Sequence, residues 1–487
     1  MQPSRVCLVL VSLCLAVTGG AATQSSPPPV DPVFPVSYEK LANGLEIWVK
    51  PRTSTQAVDV RVVVKVGFRD EAVRDSGISH LLEHMLFKGT TNHDEVELNR
   101  MVENKGAYSN GETWPELTLY EVTIVDRHFP LAVEWLADVV RNPLLRETHL
   151  AQARRDVYSE QQGDYSPLLE RIFVSGLFQP LVVRIPDVFF PHAEMPDRVI
   201  SRLDHVDSSR LRMHYRRFYV PNNMAVIIVG NVEPGDAIAR TRAAFGDLAP
   251  HAVDRSDTIP WIAPRPVEGV VRTLGMPPVG EMTEIWTGIL TRGRADPDRV
   301  VLRLITTFLD RRIFEEIRSK RALGYSLGCV LREISDAGIF YGWVDARRGR
   351  KSEEEALRVM RKLMADMSRG EMTEQDLAET KDTILGRQAR IFESNATLAR
   401  VYQDLFVNGF TPASAKSDWD AVQAVTLAQV RAVASTRLKE DMLFVAVARP
   451  PMTYLQATIV IIVAVLATIL TIALRLRRRK RATHESP

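Results

Sequence analysis

The stretch His80-Leu81-Leu82-Glu83-His84 puts three side chains able to do chemistry within about one helical turn. Residues four apart on a helix lie one above the other, so His80 and His84 point the same way. Two imidazoles so spaced can grip one tetrahedral zinc ion, with bonds of about 2.0–2.1 Å. Glu83 projects beside them, within reach of a water held by such an ion. Zinc lowers the pKa of that water towards ~7, and a carboxylate can then take its proton and pass it to a leaving amine. An ordinary amphipathic helix accounts for Leu81, Leu82, Met85, Leu86 and Phe87 as core residues, but leaves the histidines and Glu83 without a reason. A zinc site needs a third protein ligand. Glu160, in Arg154-Arg155-Asp156-Val157-Tyr158-Ser159-Glu160 on a second long helix, is the candidate.

The elements that must position these residues follow from hydropathy. Leu45–Val49 and Val58–Val66 read as strands, Ile78–Lys88 and Glu95–Asn104 as helices, Ala107–Gly111 and Leu117–Val125 as strands, and Arg127–Val140 as a helix. A second half repeats the order. Strands at Gly269–Leu274 and Thr283–Leu290 precede a helix over Arg299–Ser319, strands at Ser326–Leu331 and Gly338–Asp345, and a helix over Glu353–Met367. Gly67-Phe68-Arg69-Asp70 matches Gly293-Arg294-Ala295-Asp296, and Leu150-Ala151 with Val157 matches Leu377-Ala378 with Ile384. The expected fold is therefore α+β: two similar domains, each a mixed, mostly antiparallel sheet covered by helices. In this register Glu160 pairs with Arg387, so the second half lacks the histidine pair and the carboxylate and is expected to hold no catalytic metal.

The sequence resembles the pitrilysin family of zinc peptidases, which includes insulysin and the mitochondrial processing peptidase, over roughly residues 37–450. The resemblance is carried by Leu41-Ala42-Asn43-Gly44-Leu45, by Gly77-Ile78-Ser79 before the His-x-x-Glu-His segment, and by Met85-Leu86-Phe87-Lys88-Gly89-Thr90 after it. It implies Zn²⁺ as cofactor, with His80, His84 and Glu160 as ligands and Glu83 as the catalytic base. Asn110, with Thr113, Thr118 and Tyr120, matches a region in which the asparagine helps hold the substrate backbone. Arg318 and Tyr325 in RSKRALGY match a pair that contacts substrate and polarises the scissile carbonyl. Ala153 stands where the family often carries a further glutamate, and Gly111-Glu112 replaces a small-then-aromatic pair. The resemblance implies a peptide substrate, bound as an added strand. With only two domains in the chain, it also implies a homodimer, or a heterodimer with a related non-catalytic chain. The alternative is a non-catalytic or partner-dependent peptide-binding subunit of a heteromeric, processing-peptidase-like complex. A phosphate- or nucleotide-processing metalloenzyme lacks support, since no glycine-rich phosphate loop appears in the sequence.

The ends of the chain address location. An apolar run from Val6 to Val17 after Arg5, followed by Gly19, Gly20, Ala21 and Ala22, reads as a signal peptide over 1–22, the alternative being an uncleaved anchor. A proline-rich lead-in over 23–36 precedes a catalytic zinc domain over 37–249. A proline-bearing linker over 250–267 leads to a homologous non-metal domain over 268–450 with the Arg/Tyr pair. Leu455 to Leu474 carries no charge and suits one membrane crossing, and Arg475, Arg477, Arg478, Arg479, Lys480 and Arg481 follow at once. Positive charge stays in the cytoplasm, so 475–487 is read as a cytoplasmic tail and the body as lying outside, on the periplasmic side of a bacterial inner membrane. The chain has 487 residues and a net charge of +2, giving no bulk case for nucleic acid. Of the cysteines only Cys329 lies outside the signal segment, and it is expected to be a buried apolar residue.

Overall fold

Alternation along one strand explains the layering. In β3 (Ala57–Val64), Val58, Val60, Val62 and Val64 face one core, while Asp59, Arg61 and Val63 face the other way, and all seven are buried. A strand buried on both faces must lie inside a sheet with a layer on each side. The computed structural model shows this arrangement and describes residues 35–162, 200–256, 270–274, 279–391, 393–413 and 418–484. The expected signal peptide, nearly all of the lead-in, most of the linker and the last three residues of the basic tail lie outside the described residues.

The first sheet comprises β1 (Ser37–Lys40), β2 (Glu46–Pro51), β3, β4 (Tyr108–Thr113), β5 (Thr118–Val125) and β6 (Met224–Gly230), in the order β1-β2-β6-β3-β5-β4. Only β2 and β6 pair in parallel. One face carries α1 (Ile78–Leu86), α2 (Glu95–Glu103), α3 (Phe129–Arg141), α4 (Glu147–Gln162), α5 (Ser208–Phe218) and α6 (Pro234–Phe245) around a single apolar core.

The second sheet repeats the plan. It contains β7 (Val270–Leu274), β8 (Met282–Thr291), β9 (Gly324–Glu333), β10 (Gly338–Arg347) and β11 (Phe444–Arg449), ordered β7-β11-β8-β10-β9, with β7 and β11 parallel and the remaining pairs antiparallel. Apart from β1, this is the order of the first sheet, so the repeat read in the sequence is a repeat of topology. Its helices are α7 (Arg299–Ile313), α8 (Arg350–Ser368), α9 (Glu374–Ile391), α10 (Asn395–Val407), α11 (Asp418–Ala424) and α12 (Leu427–Arg437). The paired glycine-charge segments both form short 3₁₀ turns, Phe68–Asp70 and Gly293–Ala295. The aspartate that ends the first turn and the one that follows the second are buried and each held by an arginine from further along the chain, Arg255 on Asp70 and Arg437 on Asp296.

The helix read over Arg299–Ser319 spans those residues, α-helical to Ile313 and π-helical over Phe314–Ser319. The second half does not keep all its helices to itself. Leu398, Ala399, Tyr402 and Phe406 of α10 pack on Trp48, Val63, Leu119 and Ile227 of the first sheet. The two halves are therefore joined by a shared core. The last helix, α13 (Tyr454–His484), contains the one stretch among the described residues long and apolar enough to cross a membrane, Tyr454–Arg477, and none of its apolar window is buried.

Candidate metal centre

Helix α1 is fixed first by its apolar side. Leu81, Leu82, Met85 and Leu86 are fully buried, leaving His80, Glu83 and His84 on the opposite flank. Its start is held by a carboxylate: Glu71 accepts from Gly77 N at 2.6 Å and from Ser79 N at 2.9 Å, satisfying two of the donors that open a helix. Gly77 has φ 90°, a left-handed conformation suited to glycine. Ser79 Oγ also meets His214 Nε2 at 3.0 Å, tying α1 to α5. Helix α4 lies alongside α1, with Leu150, Ala153 and Val157 buried in the same core, and Asp156 is 3.3 Å from Lys88.

This packing brings three ligand atoms together. His80 Nε2 and His84 Nε2 are 3.2 Å apart, and each lies 3.3 Å from Glu160 Oε2. Ligands bound at about 2.0–2.1 Å to a tetrahedral zinc are separated by about 3.3–3.4 Å, so this triangle is the size of one tetrahedral face. Among the described residues it is the one cluster of three or more His, Cys, Asp or Glu side chains with this convergence. Burial and the neighbouring His84 hold the His80 imidazole below its ordinary range, against the pull of Glu160. A neutral ring is the form that binds metal.

Glu83 is set beside the triangle, and its carboxylate Oε2 accepts from Thr113 Oγ1 of β4 at 2.6 Å. Burial pushes its carboxyl up to about 7, opposed by the Thr113 hydroxyl and reinforced by Glu160 and Glu112. Gly111, also on β4, makes room for it: a Cβ there would lie 2.8 Å from Glu83 Oε1 and 2.9 Å from the Phe87 ring. The replacement noted at Gly111 thus has a local steric reason.

His80, Glu83, His84 and Glu160 line an open groove of about 920 Å³ that also takes in the outer face of β4. Asn110 lies on this edge strand and lines the same groove. Arg318 and Tyr325 do not. They associate with each other, the guanidinium 4.2 Å from the ring centre, and Tyr325 is 73% exposed. From the second half, the groove is lined instead by Arg332 and Arg400.

Sequence reasoning missed the Glu71 cap, the Ser79–His214 contact and the two groove arginines. Their signals are tertiary, since Glu71 is one acid among several before α1 and His214 lies on an arginine-rich helix. In the second half Arg387, the register counterpart of Glu160, lies 3.5 Å from Asp310. Cys329 is buried, as expected, and burial pushes its thiol up.

Residues 47–173 match the family model described as insulinase (peptidase family M16), and residues 205–384 match the peptidase M16 inactive domain. An uncharacterized zinc protease of Mycobacterium tuberculosis is 26% identical over 83% of this chain and 92% of its own length. One of Streptomyces coelicolor is 27% identical, and the match spans 62% of this chain and 65% of that protein. A protease from Helicobacter pylori has the same fold, with a TM-score of 0.72 at 20% identity, covering 85% of this chain and 100% of the other. So does the first half of the periplasmic protease PqqL from Escherichia coli, with a TM-score of 0.69 at 15% identity, covering 85% and 92%. With both domain models matched in sequence order and curated zinc proteases among its relatives, the chain belongs to the peptidase M16 family, the pitrilysin type of zinc metallopeptidase.

Proposed function

We propose that the chain is a membrane-anchored zinc endopeptidase that cleaves peptides or flexible protein segments. The observation that carries this reading is the triangle of His80 Nε2, His84 Nε2 and Glu160 Oε2, with Glu83 next to it on the same helix. Zinc held there would supply a Lewis acid that polarises a carbonyl and activates water at neutral pH.

The remaining work falls to the protein. Thr113 holds one oxygen of Glu83, which orients the carboxylate as a base that takes a proton from water and delivers it to the departing amine. Among the described residues strand β4 is the outermost strand of its sheet, beside the site, so an extended substrate can add to it through main-chain hydrogen bonds, with Asn110 on that edge. Such pairing favours unfolded segments over folded proteins.

Arg318 and Tyr325 stand outside the groove of their own chain. In a two-fold homodimer, a second copy would bring this pair to the metal centre as oxyanion-stabilising groups. A partner-dependent subunit paired with a related chain is the second reading, and the same placement favours it. The apolar helix ending in basic residues supports a single crossing with the body outside the cytoplasm, and one structural relative is described as a periplasmic protease.

The test uses the full chain in detergent. Wild type should hold about one zinc per chain and cleave unstructured peptides. Glu83→Gln should keep the zinc and lose cleavage. Cleavage retained by that variant would remove Glu83 as the base, and wild type without zinc would defeat the metallopeptidase reading. Size analysis with and without a co-expressed related chain separates the homodimer from the heteromer.

A further inference from the structure

We infer that the groove selects substrates bearing a carboxylate, held by Arg332 and Arg400 at the end of β4 nearest the β4–β5 turn. The inference rests on the peptidase reading and adds a substrate class to it.

Both arginines come from the second half, yet both line the groove that holds Glu83 and Glu160. Arg400 projects from α10, which is anchored on the first sheet by Tyr402 and Phe406. Its nearest carboxylate across the groove is Glu112 at 3.9 Å, the outer limit of an ion pair. The Arg400 side chain stays 54% exposed. Glu112 is already engaged, accepting from Trp114 Nε1 at 2.8 Å. Arg332 lies on β9, the edge strand of the second sheet, against the Tyr341 hydroxyl. Among the described residues no carboxylate stands within ion-pair distance of Arg332. Its strand leads into the turn at Ser335 and Asp336, which is fastened to the zinc domain: Ser335 N donates to Glu116 at 2.9 Å, and Arg69 bridges Glu116 at 2.7 Å and Asp336 at 2.5 Å. Glu116 and Asp336 thus share Arg69, while Arg332, on the Tyr341 hydroxyl, and Arg400, with Glu112 at the limit of an ion pair, keep exposed guanidinium groups on the groove.

Charge along the groove is therefore graded. Near the metal ligands the charges of Glu83 and Glu160 would be offset by a bound zinc ion, which leaves no unbalanced side-chain cation there to hold a substrate carboxylate. Towards the β4–β5 turn a substrate meets two arginines whose planar donors suit a carboxylate. The preference should therefore be displaced from the scissile bond. An Asp or Glu side chain, or the free C-terminus of a peptide, supplies the same chemistry.

The experiment compares kcat/KM for peptides with Glu, Gln or Lys scanned through each position, each with a free or an amidated C-terminus. Wild type is expected to favour Glu over Lys by roughly tenfold or more at one displaced position. If amidation of the Gln peptide also costs about tenfold, the terminal carboxylate is the group read. Arg332→Glu should invert the Glu:Lys ratio, Arg400→Glu should lower it, and Arg332→Lys should preserve its direction, all with zinc content intact. If Arg332→Glu does not fold, Arg332→Gln should bring the ratio close to one. Cleavage by wild type with no preference at any position overturns the inference and leaves the peptidase reading standing. Zinc-loaded wild type that cleaves no peptide overturns both.

Discussion

Thr113 and Glu83 are linked by a 2.6 Å hydrogen bond that joins the edge strand β4 to helix α1. The strand proposed to pair with a substrate therefore also holds the carboxylate proposed as the base. A hydrogen bond to a charged group contributes about 1.5–3 kcal/mol, or tenfold and more in rate if it is realised in the transition state. Thr113→Val, which keeps the shape and removes the donor, should lower kcat by about tenfold or more while zinc content stays at the wild-type level. Metal analysis beside steady-state kinetics checks it. Equal loss of zinc and activity would show a structural role only.

Gly111 tests the same relationship from the opposite direction. A methyl group at this position would sit 2.8 Å from Glu83 Oε1 and 2.9 Å from the Phe87 ring, so one of them must move. The carboxylate is the freer of the two. Gly111→Ala is expected to reduce kcat by roughly 10- to 100-fold through a misplaced base, with zinc binding retained. Because the strand is at the sheet edge, its melting temperature should change little.

Much of this site was legible in the sequence because its ligands sit on two regular helices. Helical spacing alone placed His80 and His84 on one face, and Glu160 was a candidate from its place on a second long helix and from the resemblance. The sheet was less legible. Met224–Gly230 forms β6, inserted between β2 and β3 and buried along its whole length, so it shows no alternation to read. The sharing of α10 between halves is written in no local pattern either, since Arg61 and Gln403 meet only in the folded chain. Arg332 and Arg400 escaped notice for the same reason.

Glu71 predicts a pH dependence of stability. Burial raises its carboxyl from the ordinary value of 4.5 to about 7, although Gly77 N and Ser79 N oppose the shift. Between these values the folded state keeps a proton that the unfolded chain releases. This group's contribution is therefore complete below about 4.5 and declines as pH rises through about 7, at up to roughly 1.4 kcal/mol per pH unit. Glu71→Gln keeps an acceptor for α1 and cannot ionise. Melting temperatures of the two proteins, measured from pH 4.5 to 8, should show wild type losing ground to the variant as pH rises. A constant difference across that range would refute the assignment.

Arg61 supplies the last prediction, on the joint between the halves. It is 1% exposed and lies 2.8 Å from both Asp59 and Glu121, reaching Gln403 Oε1 at 3.3 Å and Ala396 O at 3.1 Å on α10. Removing it leaves buried carboxylates without a counter-charge, a loss of about 3–5 kcal/mol in comparable buried pairs. Arg61→Ala should therefore lower the melting temperature sharply. Arg61→Ala combined with Asp59→Asn and Glu121→Gln, which removes the stranded charges, should recover part of the loss. Because α10 carries Arg400 to the groove, the single variant should also raise KM more than it lowers kcat. Hydrogen exchange on α10 then distinguishes a loosened joint, with faster exchange confined to that helix and the facing strands, from general unfolding.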